Sequence, residues 1–424
     1  MRSRSSASQG GLGMEVSAEY VIVGGGIAGL ALAGALAGDG HDAVVLEASL
    51  EYEDRVRGES MLPWGVVEAA ELGALQPLLD ADARITPNWV HYDALVPTQV
   101  SLANPIPAGM MHPAAPGSMN LRHPEACSAL ATTAGARGVR VLRGVTDVAV
   151  QAGNAPRIRA QLSNGDSCEF APRLVIGADG RNSTVRRQIG IELESHEATH
   201  MISGLLVDGL DDIDVDHDFL ATSDDLFMAS FRQHAGQVRV YLCPGLSQKN
   251  RFAGPNGRTE FLRSANFGCL PFGERLATAQ PIGPLATYPG DDTWTPHPYR
   301  PGVVLIGDAA GYNSPIIGQG LSIAMRDARM VRDAIREGGS SAPDFSAYGV
   351  ERLERMRRLR EAAMFMSAMA VDDCDNRLAR RAKFFDLQMN DPLMMAMMGG
   401  MFAGPENAPP EAFDGHLRAA IVNA

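Results

Sequence analysis

The sequence predicts an α/β fold in which a parallel sheet is assembled from two distant stretches of chain, separated by an inserted antiparallel sheet and followed by a helical C-terminus. Three observations carry this prediction. A strand, a glycine turn, a helix and a second strand follow one another from residue 20 to residue 47. Another buried strand, with its own glycine-rich loop and helix, begins at residue 303. Between them, over residues 196–287, the chain changes to apolar runs flanking hairpin-type turns.

Tyr20-Val21-Ile22-Val23 is a β-branched run that flows directly into glycines, and residues 27–36 are rich in Ala and Leu, as a helix requires. Gly38-Asp39-Gly40 ends that helix, and Ala43 to Leu46 forms the second buried strand, closing at Glu47. Residues 121–134 read as a helix entered near Pro124, followed by a strand at Val139 to Leu142; a further strand, Leu174-Val175-Ile176, ends in Gly177-Ala178-Asp179-Gly180. His234-Ala235-Gly236 marks a hairpin between two apolar runs of the insert. Val303 to Ile306 returns to the parallel sheet and a helix follows from Leu321 to about Arg336. The expected division is therefore a flexible tail at 1–17, a nucleotide-binding unit at 18–195 and 288–345, a substrate-binding sheet at 196–287, and a helical segment at 346–424. Met14, just before the first strand, offers an alternative start.

Bulk properties exclude several function classes. The chain has 424 residues, enough for more than one core, and a net charge of −13 that disfavours phosphate-backbone binding, so no nucleic-acid partner is expected. Its five cysteines, Cys127, Cys168, Cys243, Cys269 and Cys374, never stand in a CxxC spacing, which argues against a zinc site or a disulfide framework and favours a reducing, cytoplasmic setting. Residues 24–38 are apolar but glycine-rich and too short to span a bilayer, so no membrane span is expected. No metal-ligand spacing is present, and the oligomeric state is not legible.

Two motifs carry chemistry. In Gly24-Gly25-Gly26-Ile27-Ala28-Gly29, Gly24 permits the turn, Gly26 lets backbone approach a pyrophosphate, and Gly29 lets the helix pack on the sheet; Glu47 at the next strand end would accept ribose hydroxyls. This makes the unit Rossmann-like. In the second, Asp308 sits at the tip of a buried strand, followed by Pro315 and then Gly318-Gln319-Gly320-Leu321, which opens a helix whose N-terminus can stabilise an anion. Asp308 also suits the bland role of a cap at a strand-to-helix turn.

Together with Asp179-Gly180-Arg181-Asn182-Ser183, these segments resemble, in order and spacing, the three signatures of the single-component, aromatic-hydroxylase-type FAD-dependent monooxygenases. The resemblance covers residues 18–194 and 287–336. It implies FAD as cofactor, NADH or NADPH as reductant, O₂ as co-substrate and a small organic partner, aromatic or polyketide-like, that is hydroxylated or epoxidised. It further implies that Asp308 meets the ribityl chain, that the backbone of Gly318, Gln319, Gly320 and Leu321 and the loop at Pro315 border the flavin ring, and that Asp179 and Gly180 approach both FAD and the nicotinamide. Arg122 resembles an arginine that reaches the FAD backbone, and Arg57-Gly58-Glu59-Ser60 is similar to a loop beside the flavin in monooxygenases and halogenases. Taken alone, Asp179 reads equally as a cap on its turn. Ser322 departs from the Asn that many relatives carry.

A flavin reductase or a halogenase of the same fold and a non-catalytic FAD-binding protein share these motifs. Against halogenation stand the isolated Trp64, Trp89 and Trp294 and the late first lysine, Lys249. His91, Tyr92, His112, His123, His234 and Tyr312 are general-base candidates by residue type, none with a partner legible from sequence, so the catalytic residue stays open. The methionine-rich patch from Met394 to Met401 suits helix packing or an adaptable pocket wall.

Overall fold

A computed structural model describes residues 14–15, 17–211, 217–233 and 236–424. Its central sheet has six strands in the order Tyr299–Arg300, Val303–Leu305, Leu174–Gly177, Tyr20–Val23, Ala43–Glu47, Arg140–Arg143. All neighbours run parallel except the first pair. Strands from residues 20, 174 and 303 thus lie side by side, as the two-stretch reading required.

The β-branched runs are buried on both faces, as parallel strands covered from two sides must be. Tyr20 and Ile22 pack toward the helices Ile27–Gly38, His123–Ala136 and Gly320–Gly338, against Leu30, Leu130 and Met325. Val21, Val44 and Val175 point the other way, onto Val148, Ile158 and Phe170 of the antiparallel strands Val145–Gln151, Arg157–Leu162 and Ser167–Phe170. Met14–Glu15 adds a parallel strand to Ser167–Phe170, so these two residues of the expected tail are edge-paired; backbone hydrogen bonding to an open sheet edge gives them a place. The rest of 1–13 and residue 16 lie outside the described residues, as do His234 and Ala235 of the expected hairpin, whose flanking strands Leu226–Arg232 and Val238–Pro244 do pair antiparallel.

The second large sheet runs Gln280–Pro281, Met201–Asp208, Val238–Pro244, Leu226–Arg232, Asp218–Ser223, Trp89–Asp93, with Ala286–Pro289 also paired to Met201–Asp208. It therefore draws its last strand from residues 89–93, a parallel neighbour of Asp218–Ser223 contributed by the stretch expected to belong wholly to the nucleotide unit. Alternation divides its faces. Met228, Val240 and Leu242 pack on Phe261 and Leu276 of two short helices, while Phe227, Phe231, Tyr241 and Cys243 face Met366, Met401 and Phe402 of the C-terminal segment. That segment is helical as expected: Ser346–Ala370, Arg377–Asn390, Pro392–Ala403 and His416–Val422.

Candidate functional site

One continuous cavity of about 570 Å³ runs from the glycine turn at Gly24 to the inner face of the second sheet. At one end it is lined by Gly24, Gly26, Ile27, Ala28 and Glu47; along its length by Arg57, Asp179, Gly180, Asp308, Pro315, Gly318, Gly320 and Leu321. Thirteen of the sixteen residues singled out from sequence therefore converge on one space.

The other three have different positions. Gly29 lies behind the turn: a Cβ there would stand 2.1 Å from the Gly24 carbonyl oxygen, so its role is close packing of helix on strand. Gln319 is fully buried and bridges elements, accepting from Trp64 Nε1 at 3.0 Å and donating to the Met401 carbonyl at 3.1 Å. Arg122 pairs with Glu125 at 2.9 Å in the first turn of its helix and is half-exposed, away from the cavity; the nearby acid three residues on holds the guanidinium there.

The geometry suits an extended anionic cofactor. The helices beginning at Ile27 and Gly320 both lack a side-chain cap and a first-turn acid, leaving N–H groups and positive dipole ends unspent at the cavity. A Cβ at Gly26 or at Gly320 would meet nothing within 4 Å, which is the space a phosphate and a ring edge need. Those residues fit FAD: Gly26 would give room to its pyrophosphate and Gly320 to the edge of its flavin ring.

The acids are positioned by backbone. Glu47 accepts from Gly25 N at 2.6 Å and Ser49 N at 2.7 Å, which fixes its carboxylate at the Gly24 end of the cavity. Asp179 behaves as a cap: it accepts from Ser183 Oγ at 2.5 Å, Thr184 N at 2.7 Å and Val185 N at 3.1 Å, holding the short helix Thr184–Gln188. Asp308 faces Arg181 Nε at 3.5 Å, and that guanidinium lies 4.3 Å from the Tyr312 ring centroid.

A buried clamp, missed by sequence reasoning, shapes the Asp308 loop. Arg352 donates to the carbonyls of Gly307, Ala310 and Gly311 at 3.2, 2.8 and 2.7 Å and to Asp327 at 2.9 Å. Asp327 also accepts from Gly307 N at 2.9 Å and Arg355 Nη2 at 2.7 Å. Burial pushes the Asp327 carboxyl up, but the charges of Arg352 and Arg355 outweigh it and hold it below the usual range. The signal in the sequence is the Arg-rich run 352–360, inside the segment expected to be helical.

The far end of the cavity is apolar, walled by Trp89, Phe227, Phe231, Ile316, Met401 and Phe402. The methionine helix does both expected jobs: Met394 and Met397 are core, Met398 and Met401 line the cavity. Glu59 stands in this wall, 3% exposed, with the Tyr241 hydroxyl donating to its Oε2. Burial pushes its carboxyl up to about 7, against the opposing charge of Arg239, whose Nε lies 3.4 Å from Oε1.

Of the general-base candidates, His123 and Tyr312 line the cavity. Burial pushes His123 down to about 4, and Tyr312 donates to Asp291 at 2.6 Å and is pushed up to about 12. His91 and Tyr92 bond Thr222 and His217 within the second sheet, His112 caps its own loop through Ala114 N, and His234 is outside the described residues. No cluster suited to a metal ion and no helix long and apolar enough to cross a membrane occurs among the described residues.

Comparison with known proteins agrees with this geometry. A family described as "FAD binding domain" matches residues 17–362. The chain is 27% identical over 331 residues to squalene monooxygenase SE1 of Panax ginseng, covering 76% of this chain and 59% of that protein. It is 28% identical over 222 residues to pentachlorophenol 4-monooxygenase of Sphingobium chlorophenolicum, covering 50% of this chain and 39% of that one. The chain spans little more than half the length of the squalene monooxygenases it matches. Among solved structures, p-nitrophenol 4-monooxygenase from Pseudomonas putida DLL-E4 shares the fold with a TM-score of 0.72 at 19% identity, over 93% of this chain and 98% of that one.

Proposed function

The chain belongs to the FAD binding domain family, and from that premise we propose that it is an FAD-dependent monooxygenase that hydroxylates or epoxidises a small organic substrate with NADH or NADPH and O₂. The observation that carries this reading is the continuity of the cavity: a dinucleotide cradle opens, without a partition, into an apolar chamber. Both similar curated proteins quoted above are named as monooxygenases.

In this proposal residues 18–195 and 288–345 hold the cofactor, while 196–287, the strand Trp89–Asp93 and 346–424 build the chamber. When bound, FAD supplies hydride acceptance and oxygen activation. The residues around it do the rest. Gly24 to Gly29 and Glu47 bind the adenosine end, with the uncapped helix start facing pyrophosphate. Asp308 would accept ribityl hydroxyls, and the N–H groups at Gly320 and Leu321 would stabilise negative charge on the ring. Phe227, Phe231 and Phe402 exclude water from the site of oxygen transfer. A cytoplasmic location is part of the same proposal, in keeping with five free cysteines.

The test is a yellow, FAD-bearing protein whose NAD(P)H oxidation is stimulated by a member of a panel of phenols and alkenes, with one ¹⁸O atom from ¹⁸O₂ in the product. Reduction of the panel member without ¹⁸O would replace oxygenation by a reductase reading.

A further inference from the structure

The methionines of the chain are placed unevenly. Five of its 20 fall between Met394 and Met401, on the helix Pro392–Ala403. Of these, Met398 and Met401 line the apolar chamber, and Met366 joins them from the helix Ser346–Ala370. Backbone contacts hold the group beside the loop expected to border the flavin ring. Gln319, between Gly318 and Gly320, donates to the Met401 carbonyl at 3.1 Å, and the Met366 helix packs on the turn Pro315–Ile317.

Other methionines meet bulk solvent first. Met110 and Met389 are 83% and 82% exposed and Met395 is 51% exposed, whereas Met366 and Met401 are 4% and 6% exposed. A reagent arriving from solvent and one formed in the cavity therefore select different thioethers. Packing alone does not call for methionine in this wall, because leucine fills a similar volume and exchanges with it at small cost, without a sulfur that oxidants attack. The cysteines that also line the cavity, Cys127 and Cys243, are poor competitors: burial pushes both thiols up, so they stay protonated, and the thiolate is the reactive form. A thioether needs no ionisation to react.

We propose that Met366, Met398 and Met401 form an oxidation site, at which hydrogen peroxide released inside an empty chamber converts their thioethers to sulfoxides. This rests on the monooxygenase reading, which supplies the peroxide when no substrate takes the oxygen. The steps balance. NADH or NADPH, one proton and O₂ give the oxidised nicotinamide and H₂O₂; one peroxide oxygen then bonds to sulfur, the O–O bond breaks, and the other oxygen leaves as water. Each sulfoxide sets a polar oxygen among Trp89, Phe227, Phe231 and Phe402, where the wall is otherwise apolar. Turnover without substrate thus marks the chamber from within.

The experiment runs the FAD-loaded protein with NADH or NADPH under ¹⁸O₂, without substrate and with excess catalase to destroy peroxide that escapes, and locates the label by peptide mass spectrometry. The expected result is a gain of about 18 Da at Met366, Met398 and Met401 and none at Met110, Met389 and Met395; oxidation by air during handling adds about 16 Da and is thereby told apart. Hydrogen peroxide added to the bulk, without NADH or NADPH, should reverse the order and mark Met110, Met389 and Met395 first. Label that follows solvent exposure in both arms overturns the proposal, and so does peroxide formation that leaves the three chamber thioethers unlabelled. If ¹⁸O enters an added phenol or alkene but the unoccupied chamber never labels its methionines, the monooxygenase reading stands and this proposal falls; if NADH and NADPH are not oxidised at all, both fall.

Discussion

At the scale of single residues, two glycines of one motif have opposite reasons to be glycine. At Gly29 a methyl group would collide with the Gly24 carbonyl oxygen, whereas at Gly26, in extended backbone with φ −78°, a side chain would enter empty cavity. Gly29→Ala is therefore expected to cost about 1–3 kcal/mol of stability through overpacking, read by urea unfolding. Gly26→Val should leave circular dichroism and unfolding unchanged and weaken FAD binding at least roughly tenfold, because the side chain takes the pyrophosphate's place. Loss of stability in both variants alike would mean that Gly26, too, serves only packing. The motif was legible because all of its logic is local, six consecutive residues running from a strand end into the first turn of a helix. Arg122 is held locally too, by its ion pair with Glu125 three residues on.

At the scale of elements, the Asp308 loop is held by a helix that begins almost forty residues later in the chain, and local patterns say nothing about such a partner. Arg352 closes on three loop carbonyls only because Ser346–Ala370 docks beside Gly320–Gly338, where Asp327 waits. Arg352→Met should leave those carbonyls without their donor and Asp327 with one cationic neighbour. The expected cost is about 3–5 kcal/mol, the usual result of breaking a buried ion pair from one side. FAD occupancy should fall with it, because Asp308 rides on the loosened loop. Denaturant unfolding and flavin content measured on the same preparation check both halves; an unaltered midpoint would show that Arg355 alone suffices.

At the scale of the whole molecule, His200 ties three regions together: it stands just before the strand Met201–Asp208, approaches Ser314 Oγ at 3.5 Å before the Pro315 loop, and meets Ser367 Oγ at 3.3 Å on a C-terminal helix. Burial pushes its imidazole down to about 4. The unfolded chain, with an ordinary value near about 6.5, takes up the proton first as pH falls. The stability contributed by burying neutral His200 is thus complete above about 6.5 and is lost progressively toward about 4. Asp218 and Asp292, pushed up by burial to about 7 and about 6, slope the opposite way, so the wild-type curve alone is not diagnostic. The difference in melting temperature between wild type and His200→Gln should instead shrink as pH drops through that window; a constant difference would count against titration of His200. Nothing in the sequence around residue 200 announced this junction, just as nothing at Trp89–Asp93 announced membership of the second sheet, because both depend on where distant strands come to lie.

The strand order also sets a timetable. The strand Leu174–Gly177 sits between Tyr20–Val23 and Val303–Leu305, so one of its edges stays bare until the ribosome has delivered residue 303. At about 5–20 residues per second this is a wait of roughly 6 to 25 seconds, with an apolar, unpaired edge open to any other extended chain. The newborn first half is accordingly expected to need a holdase chaperone, so that co-expressing one should raise recombinant yield more than stabilising the finished protein does.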